Sequence, residues 1–89
     1  MKIAYSRRAL SQLASVHEYL VERSPGGARN VTASIRRTIA RLRDLPLLGK
    51  PTDEAGVHVL IETKYQYCVF YRVGAELVMV IRILHSSQL

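Results

Sequence analysis

Cysteine is all but missing from this chain of 89 residues, and the single Cys68 cannot close an internal disulfide. Flanked by Tyr67 and Val69 in an apolar run, it reads as a small buried hydrophobe rather than a reactive thiol. The three histidines, His17, His58 and His85, are isolated, with no paired Cys/His spacing of a metal site, so no metal and no cofactor is expected. No apolar stretch approaches the about 18 residues of a membrane span. Met1-Lys2-Ile3-Ala4-Tyr5-Ser6-Arg7 also lacks the apolar core of a signal peptide, which predicts a cytoplasmic protein with no membrane partner. Proline is scarce, at three residues, and with 48% hydrophobic and 22% charged residues a disordered chain is excluded. Acidic residues are few as well. Seven Asp and Glu against 13 Lys and Arg leave a net charge of +6, a field that attracts nucleic acid or an acidic protein without choosing between them.

The size suits one domain spanning residues 1–89. The strongest local pattern lies in its last third, where Tyr65-Gln66-Tyr67-Cys68-Val69-Phe70-Tyr71-Arg72-Val73 and Leu77-Val78-Met79-Val80-Ile81-Arg82-Ile83-Leu84-His85 flank a short break at Gly74. Two runs of aromatic and β-branched residues around such a break predict a β-hairpin. Upstream, Lys2-Ile3-Ala4-Tyr5 reads as a strand and Ser6 as the N-cap of a helix ending near Glu22 or Arg23. Leu10, Leu13, Ala14, Val16, His17, Leu20 and Val21 recur at helical spacing, with His17 near the apolar stripe. Ser24-Pro25 caps a second helix, carried by Ala28, Val31, Ile35, Ile39 and Leu42 to about Asp44, before Leu45-Pro46 stops it. Residues 47–56 form a turn-rich connection into a strand at Val57-His58-Val59-Leu60-Ile61-Glu62. The expected fold is α+β, in the order β-α-α-β-β-β, with a helical hairpin packed on a largely antiparallel sheet.

Charged groups mark the functional candidates. Arg72 and Arg82 interrupt apolar strands, where a guanidinium is costly unless paired, placed at the rim, or kept for a ligand. A two-residue Gly74-Ala75 loop would place them on opposite sheet faces and a three-residue loop on one face; Gly at the first loop position favours the former. Arg29, Arg36 and Arg43 recur at seven-residue steps and line one flank of the second helix.

The ordered set Tyr19-Leu20-Val21-Glu22-Arg23-Ser24-Pro25, Pro46-Leu47-Leu48-Gly49-Lys50-Pro51, Tyr65-Gln66-Tyr67, Tyr71-Arg72-Val73 and Arg82-Ile83-Leu84-His85 resembles the RelE/ParE superfamily of type II toxins. The resemblance covers essentially the whole chain. Its Leu-Gly-Lys-Pro turn, Tyr-Arg-Val strand end and Arg-Ile-Leu-His ending are closer to the ParE and plasmid-stabilisation group. The chain departs from the pattern where members often carry Tyr-Pro-Tyr, here Tyr65-Gln66-Tyr67. It departs again after His85, where Ser86-Ser87-Gln88-Leu89 replaces the basic residues common in relatives.

The resemblance implies a toxin neutralised by a cognate acidic antitoxin, ParD-like with a ribbon-helix-helix N-terminus, in a hetero-oligomer. The first expectation is a ParE-like inhibitor of DNA gyrase with no catalytic residues of its own, contacting its target through Arg72, Arg82, His85 and Tyr67. Leu13, Val16, Leu20, Arg29, Arg36 and Arg43 are the expected antitoxin-binding residues. The alternative is a RelE-like endonuclease that cuts mRNA on the ribosome, or a weakly active relative. As a nuclease the chain would use His85 as acid, Glu62 or Lys64 as base, and Arg72, Arg82 and Lys50 as a phosphate clamp.

Overall fold

The computed structural model describes residues 1–89. Its elements run β1 (Lys2–Tyr5), α1 (Arg7–Val21), α2 (Pro25–Ala40), β2 (Lys50–Pro51), β3 (His58–Glu62), β4 (Tyr67–Val73) and β5 (Leu77–His85), with 3-10 turns at Arg41–Arg43 and Ser86–Gln88. Both helices begin where a serine can cap them. Ser6 Oγ accepts from the Ala9 N–H at 3.0 Å and Ser24 Oγ from the Gly27 N–H at 3.1 Å, a contact typically worth about 1 kcal/mol. Pro25 occupies the first helical position, where no N–H is needed. The regular helix stops at Ala40, short of the expected Asp44, because the chain tightens into a 3-10 turn that buries Leu42.

The two helices pack on one face of a five-stranded sheet of order β1-β5-β4-β3-β2, in which β1 runs parallel to β5 and the other pairs are antiparallel. This is the expected α+β class with one strand more than expected. β2 arises inside the turn-rich connection, pairing Lys50 with Val59 and Pro51 with His58 at the sheet edge, where proline's missing donor does no harm. Ala9, Leu13, Val31, Ile35 and Ile39 of the helices meet Val69, Val80 and Ile83 of the sheet in the main core. On α1 the inward stripe is Ala9, Leu13, Val16 and Leu20; His17 falls one step outside it and is exposed, not on the stripe.

The Leu-Gly-Lys-Pro turn has a steric cause. A Cβ on Gly49 would sit 2.5 Å from the Val59 carbonyl oxygen and 2.8 Å from the Tyr71 hydroxyl. Only glycine lets this backbone approach β3 closely enough for its N–H to donate to the Tyr71 hydroxyl at 2.9 Å. At the β3–β4 turn Gln66 has φ +69. Proline, locked near φ about −65°, could not adopt this conformation.

Candidate functional site

Strand alternation sends Tyr67, Val69 and Tyr71 of β4 toward the helices and Cys68, Phe70 and Arg72 to the opposite face. On β5, Val78 and Val80 face the helices, and simple alternation would carry Arg82 inward with them. A β-bulge prevents this. Tyr71 pairs with Val80 while its neighbour Phe70 pairs with Arg82, leaving Ile81 as the extra residue. Arg82 therefore shares a face with Arg72, contrary to the opposite-face expectation. The turn also differs from the expected one. Val73 pairs with Val78 and the Gly74 N–H donates to the Leu77 carbonyl at 2.7 Å, so the loop is Ala75-Glu76.

The bulge lies where β1 has left the edge of β5, and side chains from the start of α1 satisfy the backbone there. Ser6 Oγ donates to the Ile81 carbonyl at 2.8 Å, and the Ile83 N–H donates to Gln12 Oε1 at 2.6 Å.

On the helix-free face the two arginines converge on one carboxylate. Arg72 Nη2 lies 3.4 Å from Glu54 Oε1, and Arg82 Nη2 lies 3.2 Å from Glu54 Oε2. Arg72 also donates to the Ala55 carbonyl at 3.0 Å. The Arg82 guanidinium stacks 4.2 Å from the centre of the Phe70 ring. Glu54 is carried over the sheet by a loop closed by its own backbone bonds: Thr52 N–H to the Val57 carbonyl at 2.9 Å and Val57 N–H to the Glu54 carbonyl at 3.0 Å. The Glu54 side chain is half exposed, as is that of Arg72, whereas Arg82 is 22% exposed. Sequence reasoning missed Glu54 and Phe70. The only signal for Glu54 was an acid in a loop of a chain otherwise rich in base.

The other candidates lie elsewhere. Glu62 is 2% exposed on the helix side, and its carboxylate accepts from Ser34 Oγ at 2.7 Å, Lys64 N–H at 3.1 Å and Tyr65 N–H at 2.9 Å. Lys64 sits in the β3–β4 turn with its ammonium 5.4 Å from the centre of the Tyr65 ring, and Lys50 is exposed on edge strand β2. His85 ends β5 on the helix side, edge-on to Tyr67 at 5.1 Å, with its Nδ1 accepting from the Ser87 N–H at 3.1 Å. The structure thus joins Arg72 with Arg82 and Tyr67 with His85, on opposite faces, and does not gather the six nuclease candidates. No three His, Cys, Asp or Glu side chains converge as a metal site.

Beside Tyr67 a cleft of about 420 Å³ opens between α1 and the end of β5, lined by Val16, Tyr19, Ile83 and Leu84. Burial pushes the Tyr67 hydroxyl above its ordinary range, with the negative charge of Glu62 adding to the shift. Of the expected antitoxin residues, Val16 and Leu20 are half-buried at the helix surface, while Arg29, Arg36 and Arg43 are exposed. Leu13 has to be corrected. At 3% exposure it is a core residue and offers a partner almost no surface. The arginine strip also breaks before Arg43, because the 3-10 turn changes the angle per residue beyond Ala40.

Residues 3–89 match the family model of the ParE toxin of type II toxin-antitoxin systems, parDE. The chain belongs to that family. Its sequence is 25% identical over 87 residues to Y4kP of Sinorhizobium fredii (strain NBRC 101917 / NGR234), whose name marks it as a candidate toxin; the match covers 98% of this chain and 90% of the relative. The fold is similar to that of a chain from the chromosomal ParDE TA system of P. aeruginosa, with a TM-score of 0.85, 20% identity, and coverage of 96% of this chain and 95% of the other. This fold leaves the toxin with one sheet face under its helices and one that no helix covers. No helix is long and apolar enough to cross a membrane.

Proposed function

We propose that this ParE-family toxin inhibits DNA gyrase by binding it and is held inactive by an acidic, ParD-like antitoxin. What supports inhibition by binding is the fate of the acid–base candidates. RNA cleavage needs a base and an acid beside the cations that hold the phosphate. Here the Glu62 carboxylate is buried and occupied by three donors, and His85 lies across the sheet from the arginine pair. For the antitoxin, the cleft at Val16 and the exposed arginines of α2 offer apolar burial and positive charge to an acidic segment that folds as it docks.

His85→Gln tests the choice of target. Loss of one polar contact in a binding inhibitor costs on the order of 1 kcal/mol, less than tenfold in affinity. Loss of a general acid lowers a cleavage rate on the order of a hundredfold or more. Supercoiling inhibition that survives in the variant is the expected result. Ribosome-dependent mRNA cleavage by the wild type, abolished in His85→Gln while gyrase is untouched by either protein, would overturn the proposal in favour of the endonuclease.

A further inference from the structure

We propose that Arg72 and Arg82 form a carboxylate-binding site on the helix-free sheet face, that Glu54 fills this site in the free toxin, and that a carboxylate of the target protein displaces it on binding. The proposal rests on the gyrase reading for the identity of the target, and on this chain's geometry for the site itself.

The bulge at Ile81 sets two guanidiniums side by side on a face that no helix covers. Each takes a different oxygen of the same carboxylate, at 3.4 and 3.2 Å, the pattern expected of a planar two-oxygen anion. The Arg82 side chain is fixed against Phe70, so the fork is organised before a ligand arrives. The resident anion is weakly held. Glu54 belongs to a loop whose hydrogen bonds are independent of its carboxylate, its side chain is half exposed, and its 3.4 Å pair with the half-exposed Arg72 is of the easily exchanged surface kind.

The surroundings favour a protein carboxylate over a nucleic-acid phosphate. On the same sheet face as the fork lie Val59, Ile61, Met79, Ile81 and Leu84, with Ile61 44% exposed. A nucleic acid gains affinity by neutralising many phosphates, typically about 6–10 for a tight complex. The fork supplies only two cations. An acidic side chain flanked by apolar ones matches both parts of this surface.

Direct test of the site uses the arginine Nε–H resonances of Arg72 and Arg82 in ¹⁵N-labelled toxin, titrated with acetate and, separately, with dimethyl phosphate, an anion of equal charge. If the internal pairs are closed most of the time, Glu54→Gln should lower the acetate concentration at half-saturation about fivefold. The saturable shift should vanish when Arg82→Met is added. Glu54→Ala, which keeps the same backbone bonds, serves should the glutamine variant lose its native amide spectrum. Equal midpoints in wild type and variant, or tighter binding of dimethyl phosphate than of acetate, would overturn the proposal. In supercoiling assays Glu54→Gln should inhibit gyrase at severalfold lower concentration than wild type. A wild type that leaves gyrase untouched would remove the assumed target, while the titration would still decide whether Glu54 occupies the fork.

Discussion

Glu62→Gln separates a structural carboxylate from a catalytic one. At 2% exposure this side chain has no water to fall back on. One oxygen, Oε2, serves Ser34 Oγ and the Lys64 N–H, and the other, Oε1, serves the Tyr65 N–H. Glutamine keeps one oxygen and puts an NH2 in place of the other, so in either orientation at least one backbone N–H of the β3–β4 turn faces a donor. Hydrogen bonds to a charged acceptor contribute about 1.5–3 kcal/mol and an orphaned buried donor costs about 1–3 kcal/mol, so a net loss of about 2–4 kcal/mol is expected. For a domain of this size each kcal/mol moves Tm by about 4–8 °C, which predicts a fall of about 8–32 °C. Thermal denaturation followed by circular dichroism at neutral pH measures it, and Ser34→Ala should give a smaller step in the same direction. A Glu62→Gln protein melting within about 2 °C of wild type would refute the structural role and restore Glu62 as a candidate base.

Gly49→Ala should destabilise the fold by about 2–4 kcal/mol, read by urea denaturation, because the new Cβ collides with the Val59 backbone and parts the Gly49 N–H from Tyr71. Leu13→Asp should abolish the cooperative unfolding transition by burying an unpaired charge in the core, whereas Val16→Asp should fold and lose affinity for an antitoxin; a folded Leu13→Asp protein would show that the core is misassigned. Burial pushes the Cys68 thiol above its ordinary 9.0 and the hydroxyls of Tyr5, Tyr67 and Tyr71 above 10.0, in Tyr5 against an opposing pull from Arg36. The folded state then keeps protons that the unfolded state releases, so stability should hold below pH 9 and fall as pH rises through 9 to 10 and beyond; an unchanged Tm across that range would contradict the burial.

Much of the fold was legible because local signals agreed with long-range packing. Ser6 and Ser24 cap the helices at the expected residues, and the spacing of Ala28, Val31, Ile35 and Ile39 matches the buried face of α2. What escaped was set by contacts between distant segments. β2 has only two residues, one of them proline, and exists because β3 offers it an edge. His17 lies in the sequence among apolar residues, yet the helix stripe is chosen by what the sheet can receive. Glu62 read as a candidate base because nothing in its neighbours announces Ser34, 28 positions away in the chain, as its partner.

The arginine pair shows most sharply why a site can be invisible in a strand pattern that is otherwise plain. Counting across the hairpin from either the expected turn or the observed one puts Arg72 and Arg82 on opposite faces, since both turns leave the two strands with the same parity. One inserted residue reverses that parity, and its cause lies outside the hairpin. β1 pairs with β5 only as far as Val80, and beyond that point the edge of β5 must find other partners for its polar groups. Ser6 and Gln12 supply them at Ile81 and Ile83, holding β5 in the bulged path. The same bulge lets Val80 and Ile83 both reach the helices while Arg82 between them turns away, so a buried guanidinium is avoided. The face on which the two charges meet is therefore decided by where the first strand ends and the first helix begins.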